Sequence, residues 1–431
     1  MTLLLEIGIA VLLALGLLCA MPECGLFLYG FALGFPDIAI PIGAAINLRL
    51  DDGLILLFLV RSLLWTPAPL TSEQRKILGA QALFLFACIL SAVAGIVRGN
   101  PPASYDTAKM IGCAAIALAL PRLLQSERRL RFLIAGLVCA GIALVVQISR
   151  HLGTGSLNSY ANFQELKNAA TFATWNANTI GQASILLVFA AGLGGIIFRN
   201  SIRSTVLWPC LAMAFAMIPM VVFVRTTSLS VIAGLILFLC LTRRRKWILL
   251  FAAACFSVFM FLHLADGAAL ISATQVDPAT GEGFSHRFDH WAASAESIRT
   301  QPVLGQGFSQ EAVNLSSAGN GGRSHNAYLS VWVELGLGGL ALFLFVIYRL
   351  VSVGLSLYRN PHSQLCGALI LALVLAACLD SLGLPTLYWE KLPVIALSIA
   401  VALAGICERN QSEAVTTDVR PLGMESVPQR F

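Results

Sequence analysis

Charge is what this sequence has least of. Asp, Glu, Lys and Arg make up 12% of its 431 residues, against about 25% in soluble domains. With 58% hydrophobic residues and a mean hydropathy of +0.81, the chain does not read as a water-soluble globule. It also lacks a redox or metal framework. All eleven cysteines lie in or at the ends of apolar segments, with no CxxC and no Cys/His cluster, so they read as small apolar helix residues. There is no GxSxG and no nucleophile triad, which leaves covalent catalysis without support. GQGF at 305–308 lacks the lysine and the strand–helix setting of a phosphate loop. No long internal repeat is apparent, which counts against transporters built from two related halves.

What is present is a series of apolar runs long enough to cross a bilayer core of about 30 Å. They fall near 3–20, 24–44, 52–66, 78–97, 108–121, 131–149, 179–198, 204–223, 227–242, 247–265, 327–348, 364–384 and 391–406. None shows the alternating pattern of a barrel strand, and only helices or closed barrels satisfy their own backbone in lipid. The expected fold is an all-α polytopic membrane protein of about 12–13 transmembrane helices. The first run has no basic leader and contains Glu6, so it reads as a helix and not as a cleaved signal.

Alternate connections concentrate the basic residues. Arg75 and Lys76, Arg122 to Arg131, Arg199 and Arg203, Arg243 to Lys246, Arg349 and Arg359, and the tail put 17 of 28 on one side. By the positive-inside rule that side is cytoplasmic. The net charge of +6 follows from this bias and does not point to nucleic acid. The chain divides into helices 1–10 within 1–265, a large external loop at 266–326, helices 11–13 within 327–406, and a cytoplasmic tail at 407–431. A second long external connection runs over 150–178.

The large loop keeps Phe284, Phe288, Trp291, Ile298, Val303, Leu304 and Phe308, more apolar residues than a disordered segment carries. Within it, Phe288, Trp291, Ala295 and Ile298 recur at helical spacing and predict an amphipathic helix over 285–300, lying on the membrane face. Pro302, Gly305 and Gly307 end it.

Three groups suited to a phosphate-bearing lipid substrate fall at the external boundary. Arg225 sits in the tight turn VVFVRTTSLS, Arg287 on the loop helix, and His325 at the loop's end. Arginine presents a planar fork of donors to phosphate oxygens, and histidine moves protons near neutral pH. Each also has a plainer reading: an arginine at a helix end snorkels, and a histidine before a helix caps it. Glu334 within a span is costly, and either serves a function or bonds a neighbouring helix beside Gly336, Gly338 and Gly339. Asp380 and Lys109, near outer helix ends, are further candidates. His286 and His290 stand at i and i+4, but HRFDH lacks the base of HExxH, so no metal site is expected.

Taken in order, the chain carries Asn176-Ala177-Asn178, the turn Arg225-Thr226-Thr227-Ser228, Arg287-x3-Trp291, PVLGQGF at 302–308, and SHNAYLSVWVELGLGGL at 324–340. Over about residues 170–350 this resembles the O-antigen ligase and Wzy-type polysaccharide polymerase superfamily of bacterial inner-membrane proteins. The resemblance implies inverting glycosyl transfer without a metal or other cofactor. A glycan on undecaprenyl diphosphate passes, on the periplasmic side, to the lipid A core or to a growing glycan. It implies that Arg225 and Arg287 hold the diphosphate and that His325 assists the acceptor hydroxyl. Asn326, Trp291, Glu334 and Lys109 are supporting candidates. Ligase and polymerase are not separated by these motifs. The rival reading is a transporter or flippase of the same lipid-linked glycan, which should place ionisable groups near the membrane midplane in both halves.

Overall fold

The computed structural model describes residues 21–33, 39–42, 46–64, 69–154, 177–198, 202–221, 224–243, 284–311, 324–384, 387 and 390–418. Within them, the elements in chain order are α1 (Pro22–Ala32), β1 (Ala39–Ile42), β2 (Ile46–Arg49), α2 (Leu50–Leu64), α3 (Ser72–Val97), α4 (Ser104–Leu123), α5 (Glu127–Thr154), α6 (Ala177–Ile197), α7 (Ile202–Val221), α8 (Arg225–Leu241), α9 (Phe284–Thr300), α10 (Ala327–Arg359), α11 (Gln364–Asp380) and α12 (Lys391–Asp418). The protein is an all-α polytopic membrane protein. Among the described residues, five helices are long and apolar enough to cross a membrane, within α3, α5, α6, α10 and α12; shorter apolar helices accompany them.

Several expected spans differ in their bounds. The run 24–44 is not one helix: α1 stops at Ala32, and Ala39–Ile42 pairs antiparallel with Ile46–Arg49. Pro41 lies in that first strand, where it cannot continue a helix ladder and is tolerated in a two-stranded edge. At the other end, α12 continues past the expected boundary at 406 as far as Asp418. The expected spans at 3–20 and 247–265 lie outside the described residues, as does most of loop 150–178.

The alternation of sides is visible in the packing. Gln411 donates to Ser363, Arg409 to the carbonyl of Gln125, the Glu73 amide to Glu408, and Tyr358 to the carbonyl of Leu241. These groups lie in, or within two residues of, the connections read as sharing one side. At the opposite end, the turn after α3 meets the loop after α9: Gln310 donates to the carbonyls of Asn100 and Pro101. Close helix contacts rest on small residues, as expected where lipid supplies little hydrophobic drive. Gly30 and Gly136 bring the backbones of α1 and α5 together, with no room for a side chain between them. The core is mainly apolar, with Tyr29, Phe58 and Phe215 fully buried, and it also encloses polar side chains such as Gln74, Thr227 and Asp380.

Candidate functional site

The site is assembled at the end where α8, α9, α10 and α11 meet. A turn closed by Val224 N–H donating to the Pro219 carbonyl at 2.9 Å leads into α8, whose first residue is Arg225. Thr227 then donates its hydroxyl to Asp380 Oδ1 at 2.7 Å, both side chains being fully buried. Gly383 packs directly on Thr226. The start of α8 is thereby fastened to the end of α11.

The next residue of that α11 terminus does the same for α10. The Ala327 amide donates to the Ser381 carbonyl at 2.9 Å, and Tyr328 donates its hydroxyl to the Cys378 carbonyl at 3.1 Å. Asn326 is the N-cap of α10, its side-chain oxygen accepting from the amides of Tyr328 and Leu329. His325 stands immediately before it in a left-handed conformation (φ 52°), which non-glycine residues rarely adopt. Its neighbour Ser324 is locked on both sides. The Ser324 carbonyl accepts from Trp291 Nε1 at 2.8 Å, and its amide donates to Glu311 Oε1 at 3.3 Å. His325 is thus a knuckle between two fixed residues, half-buried, with its ring centroid 6.5 Å from that of His290 and nearly perpendicular to it.

The loop helix forms over 284–300, one residue longer than expected, and presents a partly different face. His290, Ser294 and Ile298, spaced by four, are buried, whereas Phe288 is 55% exposed and Ala295 is also exposed. The buried face is partly polar because its partner is polar: Ser294 donates to Glu311, which also accepts from Ser330 at 2.6 Å. Of the apolar stripe read from the sequence, Ile298 is buried and Trp291 half-buried, whereas Phe288 and Ala295 face outward.

Below this layer α10 is broken. Gly336 has φ 68° and ψ −170°, and the segment after α9 fills the gap. Gln306 and Gly307 amides donate to the carbonyls of Val333 and Glu334, and the Leu337 amide donates to Pro302. Gly305 and Gly336 face each other with no space for a side chain on either, which explains the first glycine of PVLGQGF and the first of ELGLGG together. Glu334 is 2% exposed at this break, and its carbonyl also accepts from Ser91. Lys109 lies apart on α4, 2.8 Å from Glu390.

The structure thus brings His325, Asn326 and Trp291 together, with the backbones of Arg225 and Arg287 on the elements bonded to them; those two arginine side chains lie outside the described residues. Glu334 lies at the break in α10, and Lys109 lies apart on α4 beside Glu390. Missed from the sequence were Ser294, Glu311, Ser324 and Ser330, and His290 was weighed only as a metal ligand. Nothing in the pattern around Glu311 distinguishes it from the other acids of the loop.

A family model described as O-Antigen ligase matches residues 210–344. That region of the chain is similar to the O-antigen ligase family. No curated protein matches it. The ligase match runs from within α7 to within α10 and so contains Arg225, Arg287, Trp291, Glu311, His325, Glu334 and Gly336. Lys109 and the α11 terminus with Asp380 lie outside it, although that terminus joins the two ends of the matched region.

Chemically, the arrangement offers an imidazole on a rigid backbone, able to accept a proton from a hydroxyl placed against it. The similarity to the O-antigen ligase family over residues 210–344 supports a role in glycan transfer at the membrane.

Proposed function

We propose that this chain is an inverting, metal-independent transferase that moves a glycan from undecaprenyl diphosphate onto an acceptor sugar at the periplasmic face of the inner membrane. Arg225 and Arg287 hold the diphosphate by charge-assisted bonds, in the place a cation would otherwise take. The acceptor hydroxyl attacks the anomeric carbon from the face opposite the diphosphate, and its proton passes to His325. The anomeric carbon–oxygen bond breaks as the new one forms, and undecaprenyl diphosphate leaves with its charge met by the arginines. Trp291 and Asn326 hold His325 in register, Glu334 secures the break in α10, and Lys109 clips α4 to the start of α12.

One observation carries this reading: Asp380 and Ser381, consecutive in sequence, bond to Thr227 and Ala327, so the helix beginning at Arg225 and the helix following His325 share one anchor. Trp291, four residues after Arg287, bonds the residue before His325. The loop 266–326 is then the external domain, and the basic connections and the tail 407–431 face the cytoplasm.

A flippase would use the interrupted α10 as part of a pathway. Here the carbonyls freed by the break are taken by loop amides, which favours surface chemistry over passage.

The test is to express His325→Ala and Arg287→Ala in the host and follow lipid-linked glycan and finished surface polysaccharide by gel. The transferase reading expects both variants in the membrane, donor accumulating and product lost. Normal product from both would sink it. Single units still attached while long chains vanish would indicate a polymerase; free polymer left unattached would indicate a ligase acting on the lipid A core.

A further inference from the structure

We infer that Glu311 is a positioning residue for His325, an inference that rests on the transferase reading above. Glu311 is 1% exposed and uses both carboxylate oxygens: Oε1 accepts from the Ser324 amide at 3.3 Å and from Ser294 at 3.5 Å, and Oε2 accepts from Ser330 at 2.6 Å. A buried carboxylate is retained only where its oxygens are satisfied, and these bonds do that. They also join three parts of the chain: α9 through Ser294, the residue before His325 through Ser324, and the first turn of α10 through Ser330.

The consequence falls on His325. Its backbone is left-handed, a conformation that costs of order 1–3 kcal/mol and persists only where the surroundings enforce it. Glu311 fixes the amide before it, and Ser324 Oγ, which exchanges hydrogen bonds with the Asn326 backbone and meets Ser330 Oγ at 3.2 Å, fixes the residue after it. Without Glu311 the Ser324–Asn326 arch loses the group that spans it, and the imidazole is no longer aimed at one point. Glu311 touches no reacting atom; its effect passes through Ser324 and Ser330.

The chain has only six histidines, so ¹³C-histidine labelling gives a readable NMR spectrum in which His325→Gln identifies the His325 signal. Glu311→Ala should shift or broaden that signal while leaving the signal of His362, at the opposite end, unchanged. In native membrane vesicles supplied with radiolabelled lipid-linked glycan, it should lower the saturating transfer rate roughly 10- to 100-fold, as misplacement of a reacting group does. The half-saturating donor concentration should stay within about twofold, since donor binding is assigned to the arginines. Glu311→Gln keeps an oxygen acceptor and should restore most of the rate. If Glu311→Ala does not reach the membrane folded, Ser330→Ala removes the shortest of the three bonds and is read by the same signal. A His325 signal and a rate unchanged in Glu311→Ala, or an unchanged signal in Ser330→Ala where the former fails to fold, would overturn the inference. Transfer persisting in His325→Ala would instead overturn the transferase role of His325, while the NMR signal still reports whether Glu311 holds it.

Discussion

Trp291 donates its indole N–H to the main-chain carbonyl of Ser324 at 2.8 Å, across 33 positions of sequence. This single bond ties the loop helix that carries Arg287 to the residue before His325. Removing it in Trp291→Phe leaves the Ser324 carbonyl without that donor in a buried setting, at a cost of about 1–3 kcal/mol. We predict a lowered melting temperature in detergent and a transfer rate reduced more than the stability loss alone implies, because the two elements lose registry. Thermal unfolding and a transfer assay on the same preparation check this.

The break in α10 makes a paired prediction. Gly336→Ala adds a side chain where the Val303 carbonyl and the Gly305 amide already stand, at a positive φ, and should cost more than about 3 kcal/mol. Gly338→Ala, two residues on, meets nothing within 4 Å and should be neutral or stabilising by up to about 1 kcal/mol. Equal melting temperatures for the two variants would contradict the way the loop is seen to fill the break.

At the shared anchor, Thr227→Val removes a donor from fully buried Asp380. The expected loss is about 1–3 kcal/mol. Because the bond fixes the first turn of α8, transfer should fall with it, whereas Thr227→Ser keeps the hydroxyl and should behave like the parent. Melting temperatures and transfer rates of the two variants side by side give the comparison.

Most of the architecture was legible because it depends on composition and period. Apolar length marked the helices, and the VVFVRTTSLS turn marked the start of α8 to within two residues of Arg225. The limits of α9 followed from Pro302 and the helical spacing before it. Its buried face followed only in part, at Ile298 and Trp291, because periodicity identifies the apolar side but not what the helix packs against; here that surface carries Glu311 and Ser330, and so His290 and Ser294 turn inward. The anchor between Asp380 and Thr227 was also out of reach, since it joins residues 153 positions apart. His325 was legible as a residue type at a helix mouth; its left-handed backbone was not.

The central claim is that His325, held between Ser324 and Asn326, takes the proton from the acceptor. The most direct measurement reconstitutes the purified protein in vesicles containing lipid-linked glycan donor and acceptor glycolipid, and follows product with time for the parent and for His325→Ala. Loss of a general base typically costs about 10²–10⁴-fold in rate, so the account predicts a drop of that order in a variant that is folded and still binds the donor. A His325→Ala protein that forms product at the parental rate would contradict it.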